Sequence, residues 1–401
     1  MSDFIPFFIN SNICTQSSDT YDFDTFMTAI AGNTGNSYIT YSLLKELNFS
    51  LNKDYHIQNI YKYDFSQSEK DIDKINNECT HVFLILQDQI RIQESYGYKL
   101  PYKDIIQFIN KLNKPVIIAG LGANSFDGYD ADFHKKLSTD LVNFLKFLSA
   151  HCNSIGIRGN YTAEILHNLG IDNINVIGCP SFYETGDDRY IEKKEIKNIK
   201  DIILTSIFRN KELLFNYQIC QDFCEENIIK AIAFNDYNYD FQDVEQKKLK
   251  DKKYRVYTDM EEWKNFIKNF KFAIGYRLHG SIVALNAGIP AMCCNGDSRA
   301  REMCEFLHIP YNPDIKSKDN ILKVYEDIDI SDVNNTYKKL YSNFAKFIKD
   351  NTSIDLYNTT VSKPVNQTEK ISLNLYNSNK HSFIRINNLL NKIPIIKIFR
   401  K

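Results

Sequence analysis

The sequence predicts an α/β protein of two domains, each with a parallel β-sheet covered by helices. Short apolar runs alternate with helical patterns along most of the chain, which is typical of parallel sheets. A charged segment separates two such series, and 401 residues are enough for two domains. We therefore predict a first domain at 1–185, a connection at 186–200, a second domain at 201–345 and a C-terminal extension at 346–401.

The first series contains four predicted strands. The run VFLIL is the earliest of them, and Gly170 closes the last helix, because glycine readily takes the left-handed conformation at that position. The predicted elements are strands at 82–86, 115–120, 154–158 and 174–178, with helices at 102–112 and 132–149 and a third before Gly170.

The second series ends in a strand–helix–strand unit. Its helix at 258–270 has a defined start, because Thr258 and Glu261 form a capping-box pattern ahead of an apolar face. The predicted strands are 201–207, 228–234, 272–275 and 289–294, and SIVALNAG at 281–288 is a further helix. The turn RLHG connects strand and helix in this unit.

The segment GYRLHG, 275–280, places Arg277 and His279 at the carboxyl end of a predicted strand. Parallel sheets bind ligands at this end, where the next helix begins with unpaired amides and the positive end of its dipole. An anion is therefore expected here. The structural alternative is that Arg277 only pairs with a carboxylate and His279 only bonds a carbonyl group.

Composition limits the classes of partner. The formal net charge is −1 and the pI is near 6.7, so we expect no nucleic-acid partner. The nine cysteines are scattered, which favours reduced thiols in a cytoplasmic protein. Cys220 and Cys224 have helical spacing but lack further ligands nearby, so no metal is expected.

Membrane contact is expected at most at the C-terminal end. The chain has no run of 18 apolar residues, and MSDFIPFFIN lacks the features of a signal peptide, which favours a cytoplasmic location. The tail NNLLNKIPIIKIFRK suits peripheral contact with the inner face of the cytoplasmic membrane. Packing on the protein's own domain is the favoured alternative, because Pro394 interrupts a long amphipathic helix.

Three separated segments have distinctive patterns. Trp263 to Pro310 contains FAIGYRLHGSIVALNAGIPAMCCNGDSRAREMCEFLHIP, residues 154–182 read SIGIRGNYTAEILHNLGIDNINVIGCPSF, and residues 32–39 read GNTGNSYI. Together and in this order they resemble the polysaccharide pyruvyl transferase family, and they span most of residues 30–310. The RLHG block is the specific part of the resemblance.

The resemblance implies a GT-B arrangement, in which two Rossmann-like domains face a central cleft. It also implies a transferase that moves pyruvate from phosphoenolpyruvate to a sugar as a ketal, without a further cofactor. The matching positions assign the catalytic and donor-binding pair to His279 and Arg277, and a further donor contact to Arg158. Leu278 and Gly280 of the same turn are grouped with the donor site.

The chain departs from the family pattern at two positions. Arg299 stands where many members have lysine, so it keeps the positive charge and is grouped with the donor site. Asn36 stands where many members have aspartate, so a negative charge is missing from the Gly-Asn loop. Asn33 and Asn36 of this loop are candidates for the acceptor side.

Two further acceptor-side candidates follow first- and second-domain strands. Asn124 lies in GLGANSFDGYD, where ordinary turn chemistry is the favoured alternative. Arg209 follows the strand DIILTSI, and a role as a surface cation is an equally good interpretation.

The candidate arginines and His279 suit phosphoenolpyruvate chemically. Its carboxylate and phosphate need several planar cations, which Arg158, Arg277 and Arg299 supply. An imidazole with an ordinary pKa near 6.5 can donate and accept protons, so His279 is predicted to be the general acid/base.

The leading hypothesis is pyruvyl transfer to a sugar or lipid-linked glycan precursor of the cell surface. A nucleotide-sugar glycosyltransferase with a GT-B fold is the alternative, although SIVALNAG lacks a carboxylate to hold a ribose. A third hypothesis is an anion-binding protein without catalytic activity.

Overall fold

A computed structural model describes eleven segments of the chain: residues 4–11, 20–21, 34–49, 53–92, 100–125, 128–205, 218–221, 254–256, 260–315, 321–358 and 372–373. Several predictions fall outside them, namely Asn33, Arg209, the strand at 228–234, Thr258 of the capping box, and the tail at 387–401. No helix in the described part of the chain has the length and apolar content that a membrane span requires.

The described strands form two large sheets and two small pairs, and all their pairings are parallel. In chain order they are β1 (Pro6–Ile9), β2 (Thr20–Tyr21), β3 (His56–Ile57), β4 (His81–Leu84), β5 (Ile90–Arg91), β6 (Val116–Leu121), β7 (Ala123–Asn124), β8 (Ile155–Ile157), β9 (Ile174–Val176), β10 (Ile202–Leu204), β11 (Gln218–Gln221), β12 (Tyr254–Val256), β13 (Phe272–Gly275), β14 (Ala291–Cys293) and β15 (Ser372–Leu373).

The α-helices alternate with these strands. They are α1 (Thr34–Glu46), α2 (Glu69–Glu78), α3 (Tyr102–Asn110), α4 (Thr139–His151), α5 (Asn160–Asn168), α6 (Met260–Ile267), α7 (Leu278–Asn286), α8 (Ser298–Leu307), α9 (Ile321–Asp327) and α10 (Ser331–Thr352). Parallel strands with helices between them confirm the predicted α/β class.

The first sheet has the order β3-β1-β4-β6-β8-β9 and the second has the order β12-β11-β10-β13-β14. In the first sheet, β3 is added on one side of β1, whereas the strands from β4 onward are added on the other side. In the second sheet, β11 and β12 lie on one side of β10, whereas β13 and β14 lie on the other. The switch points are therefore between β1 and β4 and between β10 and β13. A crevice opens at the carboxyl ends of the strands at each such switch point. We call the first sheet with its helices the first lobe, and the second with its helices the second lobe.

A continuous hydrophobic core joins the lobes. Phe83 of β4 and Ile39 of α1 belong to the same buried cluster as Trp263 of α6 and Ile282 of α7. Burial of this apolar surface is the main favourable contribution to the association of the lobes. This packing gives the GT-B arrangement that the resemblance implied, with both switch points directed to one cleft.

Helix α10 follows the second sheet in the chain but packs on elements of the first lobe. Its Phe347 leaves no room for a side chain at Gly156 of β8, because a β-carbon there would lie 2.8 Å from the ring. Tyr341 donates a hydrogen bond of 2.6 Å to Glu46 of α1. The helix runs through residue 345, where the sequence placed the end of the second domain, and the domain bounds stay a prediction.

Several predicted elements lie close to the observed ones, whereas others were missed. The strand at 272–275 is observed with these bounds, and the one predicted at 115–120 is β6. The helix predicted at 132–149 instead begins at Thr139, because the Ser138 hydroxyl accepts a hydrogen bond from the Leu141 amide and caps α4. Strand β1 and helix α1 were not predicted.

Candidate active site

The RLHG turn lies at the switch point of the second sheet. Arg277 follows β13 and is the N-cap residue of α7, with φ −97° and ψ 113°. Helix α7 therefore begins at Leu278, three residues earlier than predicted, and places His279 in its first turn. Gly280 is needed at this point, because a β-carbon there would lie 2.5 Å from the Thr205 β-carbon at the end of β10.

The Gly-Asn segment meets this turn from the first lobe. Its residues from Thr34 onward begin α1 rather than forming a loop, and Gly35 lies against the imidazole of His279. A β-carbon at Gly35 would lie 2.7 Å from the His279 Cγ, which is too close for any side chain. Asn36 follows in the same turn and is partly exposed. The two lobes are thus in contact at His279.

Arg158 projects from the end of β8 in the first lobe and is 3% exposed. Its backbone amide donates to the Leu121 carbonyl at 2.9 Å. Gly122 gives its side chain room, because a β-carbon there would lie 2.6 Å from the Arg158 Cδ. The Nε of Arg158 is buried and has no hydrogen-bond partner within the described segments. A buried guanidinium with an unsatisfied donor favours an anionic ligand.

Arg299 and Asp88 connect the lobes beside Arg158. Arg299, on α8 of the second lobe, has its guanidinium 3.4 Å from Asp88 Oδ2 and 3.1 Å from Asp297 Oδ2. Asn124 Nδ2 donates to the same Asp88 oxygen at 3.2 Å. Sequence analysis did not identify Asp88. The available signal was the polar run QDQ directly after VFLIL, which is where a parallel strand meets the cleft.

The positive charge of the cleft lowers the pKa values of His279 and Asp88. Burial, together with the charges of Arg158 and Arg299, lowers the pKa of His279 from 6.5 to about 3. Burial alone would raise the pKa of Asp88, but Arg299 and Arg158 outweigh it and lower this pKa to about 2. At neutral pH the imidazole is therefore neutral and the carboxylate is ionised.

Helix α8 holds Arg299 against the first lobe through further contacts. Ser298 Oγ accepts a hydrogen bond of 2.8 Å from the Ser125 amide. Both carboxylate oxygens of Glu302 accept hydrogen bonds from Thr162, one from the amide at 2.5 Å and one from the hydroxyl at 2.9 Å. Burial raises the pKa of Glu302 to about 7. These contacts fix where Arg299 stands relative to Arg158.

The structure brings most of the predicted site residues to one place. The positive charges of Arg158, Arg299 and Arg277 all lower the pKa of His279. Asn124 lies in the same region, because it donates a hydrogen bond to Asp88. The Leu278 side chain is instead buried in the core shared by the lobes, so only its backbone amide can face a ligand. The functional roles of these residues stay predictions.

A cysteine also lies next to the imidazole: Cys179 Sγ is 3.9 Å from His279 Nε2. Ser181 donates its hydroxyl to the same sulfur at 3.0 Å. The thiol is buried and lies near the end of the mid-chain segment, 154–182, that resembles the family pattern. Within the described segments, no group of three or more histidine, cysteine, aspartate or glutamate side chains is arranged to hold a metal ion.

Together, the fold and this cluster define a two-lobed α/β protein with a cationic cleft that combines three arginines and a neutral histidine. The family model described as polysaccharide pyruvyl transferase matches residues 33–298. The match covers more than half of the chain, so this protein belongs to the polysaccharide pyruvyl transferase family, a family of transferases.

Comparison with solved structures finds distant similarity. MnaA of S. aureus in complex with UDP is 13% identical, with 82% of this chain and 88% of that chain covered and a TM-score of 0.41. The UDP-GlcNAc 2-epimerase of Methanocaldococcus jannaschii is 14% identical, with 77% and 88% covered and a TM-score of 0.39. The wall teichoic acid polymerase TagF is 11% identical, with 97% and 89% covered and a TM-score of 0.35. No curated protein matches the sequence.

Proposed function

We propose that this protein transfers pyruvate from phosphoenolpyruvate to a sugar of a cell-surface glycan precursor and forms a cyclic ketal. The observation that carries this proposal is the buried Arg158, whose Nε lacks a partner in the described part of the chain and stands beside Arg299 and His279. A small molecule with two anionic groups suits such a cluster better than a neutral sugar does.

The arginines bind the donor in this proposal. Phosphoenolpyruvate has a carboxylate and a phosphate on one enol carbon, and planar guanidinium groups bind both kinds of anion in a bidentate manner. Arg158 comes from the first lobe, whereas Arg277 and Arg299 come from the second. The amides at the start of α7 add further donors for an anion.

His279 moves the proton in the first half of the reaction. Because its imidazole is neutral in the protein, it first accepts a proton, and the attacking sugar hydroxyl is the group that supplies it. The proton then goes to the methylene carbon of the donor, which becomes a methyl group, while the sugar oxygen bonds to the central carbon. The product of this half is a ketal that still carries phosphate.

The second half closes the ring. A second hydroxyl of the same sugar bonds to the central carbon. The bond between this carbon and the bridging oxygen of the phosphate breaks, and phosphate leaves with the electron pair. The proton of this hydroxyl leaves with the phosphate, so the sum is one donor and one sugar giving one ketal and one hydrogen phosphate. The arginines stabilise the charge of the departing phosphate.

The test is direct. Purified protein is incubated with phosphoenolpyruvate and methyl glycosides of galactose, glucose, mannose and N-acetylglucosamine, and phosphate release and product mass are measured. We expect phosphate release with a glycoside mass gain equal to pyruvate less one water. Transfer from a nucleotide sugar, with none from phosphoenolpyruvate, would instead establish a glycosyltransferase.

A further inference from the structure

Asp88 lies at the switch point of the first sheet and faces the second lobe. It follows β4. The chain continues from β1 to β3 on one side of the sheet and from β4 to β6 on the other side, so the crevice of this sheet opens at the carboxyl ends of β1 and β4. Arg299 reaches Asp88 from the other side of the cleft. The carboxylate therefore stands next to the arginines to which the donor is assigned.

The two oxygens of this carboxylate differ. Oδ2 accepts hydrogen bonds from Asn124 and Arg299, whereas Oδ1 accepts none from the described residues. The buried polar atoms without a partner do not include Oδ1, and the Asp88 side chain is 16% exposed, so Oδ1 is accessible. One oxygen is therefore fixed by the protein, and the other is open to the cleft.

The backbone around Asp88 is held in one position. Gln87 has a left-handed conformation with φ 52°, and its carbonyl accepts a hydrogen bond of 2.6 Å from the Gly122 amide. On the other side of Asp88, the Ile90 amide donates to the Gly122 carbonyl at 3.2 Å. Because residues on both sides of Asp88 are hydrogen-bonded to Gly122, the backbone position of Asp88 is fixed relative to the cleft.

The charge of Asp88 selects what this oxygen can bind. An ionised carboxylate accepts hydrogen bonds but donates none, so a hydroxyl group fits and a second anion is repelled. The arginines lower the pKa of Asp88 to about 2, so this carboxylate is ionised at neutral pH.

We propose that Asp88 binds the acceptor sugar, with its Oδ1 accepting a hydrogen bond from a hydroxyl that neighbours the attacking one. The bond orients the sugar over the donor held by the arginines. This inference rests on the proposed function, and it specifies an acceptor that presents a neutral hydroxyl rather than a phosphate or carboxylate at this point.

Asp88→Asn tests the inference, because the amide must keep its oxygen towards Asn124 and Arg299. Its NH2 group then replaces Oδ1, so a hydrogen-bond donor faces the sugar hydroxyl. We expect kcat/KM for the sugar to fall by about 10- to 100-fold, since a hydrogen bond to a charged group is lost. Phosphoenolpyruvate affinity, measured by isothermal titration calorimetry, should be unchanged or tighter, because one negative charge leaves the cleft.

Asp172→Asn is the matched control, because Asp172 is an exposed first-lobe carboxylate that pairs with His167 at 2.8 Å. It should behave as the wild type in both measurements. An unchanged kcat/KM for the sugar in Asp88→Asn, or a weakened affinity for phosphoenolpyruvate, would overturn the inference and make Asp88 a support for Arg299. A wild-type protein that binds no phosphoenolpyruvate would overturn the proposed function itself.

Discussion

Gly35 and His279 touch across the cleft, with no space between them for a side chain. The contact joins the first turn of α1 in the first lobe to the first turn of α7 in the second. The position of the imidazole therefore depends on how closely the lobes approach each other, and the missing side chain at residue 35 is what permits the approach.

Gly35→Ala should reduce transfer strongly. The added methyl group has to displace the imidazole of His279, and a misplacement of about 1 Å costs on the order of 100-fold in rate. Initial rates of phosphate release give the measurement. Gly296→Ala is the control, because a β-carbon there meets only Pro313 at 3.6 Å, an ordinary contact. Equal activity of the two variants would show that the contact does not position His279.

Arg158→Met should weaken donor binding severely and yet stabilise the unliganded protein. The methionine fills similar space, and it removes a buried charge whose Nε has no partner in the described segments. We expect phosphoenolpyruvate affinity to fall by about 100-fold or more, since at least one charge-assisted bond is lost. Calorimetric titration measures the affinity, and thermal unfolding without ligand measures the stability.

Arg158→Lys separates charge from shape in the same position. It keeps a cation but loses the planar guanidinium, so its affinity should lie between those of the wild type and Arg158→Met. If Arg158→Met binds phosphoenolpyruvate as well as the wild type does, Arg158 is not a donor ligand.

His279 should make folding stability depend on pH. Its pKa is about 3 in the folded protein against 6.5 as the ordinary value, so the unfolded chain binds more protons between these limits. The contribution to stability is complete above pH 6.5 and is lost as the pH falls from 6.5 towards 3. The slope is at most about 1.4 kcal/mol per pH unit.

His279→Gln isolates this effect. Glu302 and Glu46 have pKa values raised to about 7 by burial, so their contributions change in the opposite direction, increasing as the pH falls from 7 towards 4.5. The difference between wild type and variant cancels them. Chemical unfolding at pH 7 and pH 5 should show that the wild type loses stability relative to His279→Gln, and the variant should lose transfer while binding donor. An equal response to pH would mean an ordinary pKa for His279.

Glu302→Ala should weaken the attachment of α8 to the first lobe. Two hydrogen bonds to Thr162 are lost, and the cost is about 1–3 kcal/mol in the free energy of unfolding. Transfer should fall as well, because α8 positions Arg299. Thr162→Ser keeps the amide and the hydroxyl, so it should retain stability and activity. A stable and fully active Glu302→Ala protein would contradict this role.

Local patterns were enough to predict much of the second lobe. The alternation of apolar runs and helical patterns gives β13, α7 and β14, and a strand–turn–helix unit must place Arg277 and His279 at the carboxyl end of its strand. The same rule applied to VFLIL would have found Asp88. Helix α1 was missed because its residues, TGNSYITYSLLKE, show no clear apolar stripe, and the helix is buried by both lobes on almost every side.

The sequence by itself determined the class of fold, the family and the residues that bring charge to the cleft, because each of these is carried by short segments with their own periodicity or motif. Only the tertiary structure decided that Arg158, Asp88 and Arg299 meet, and that His279 is neutral. These segments lie far apart in the chain, and their electrostatic interaction depends on distance and burial, which arise when the two sheets pack around one core.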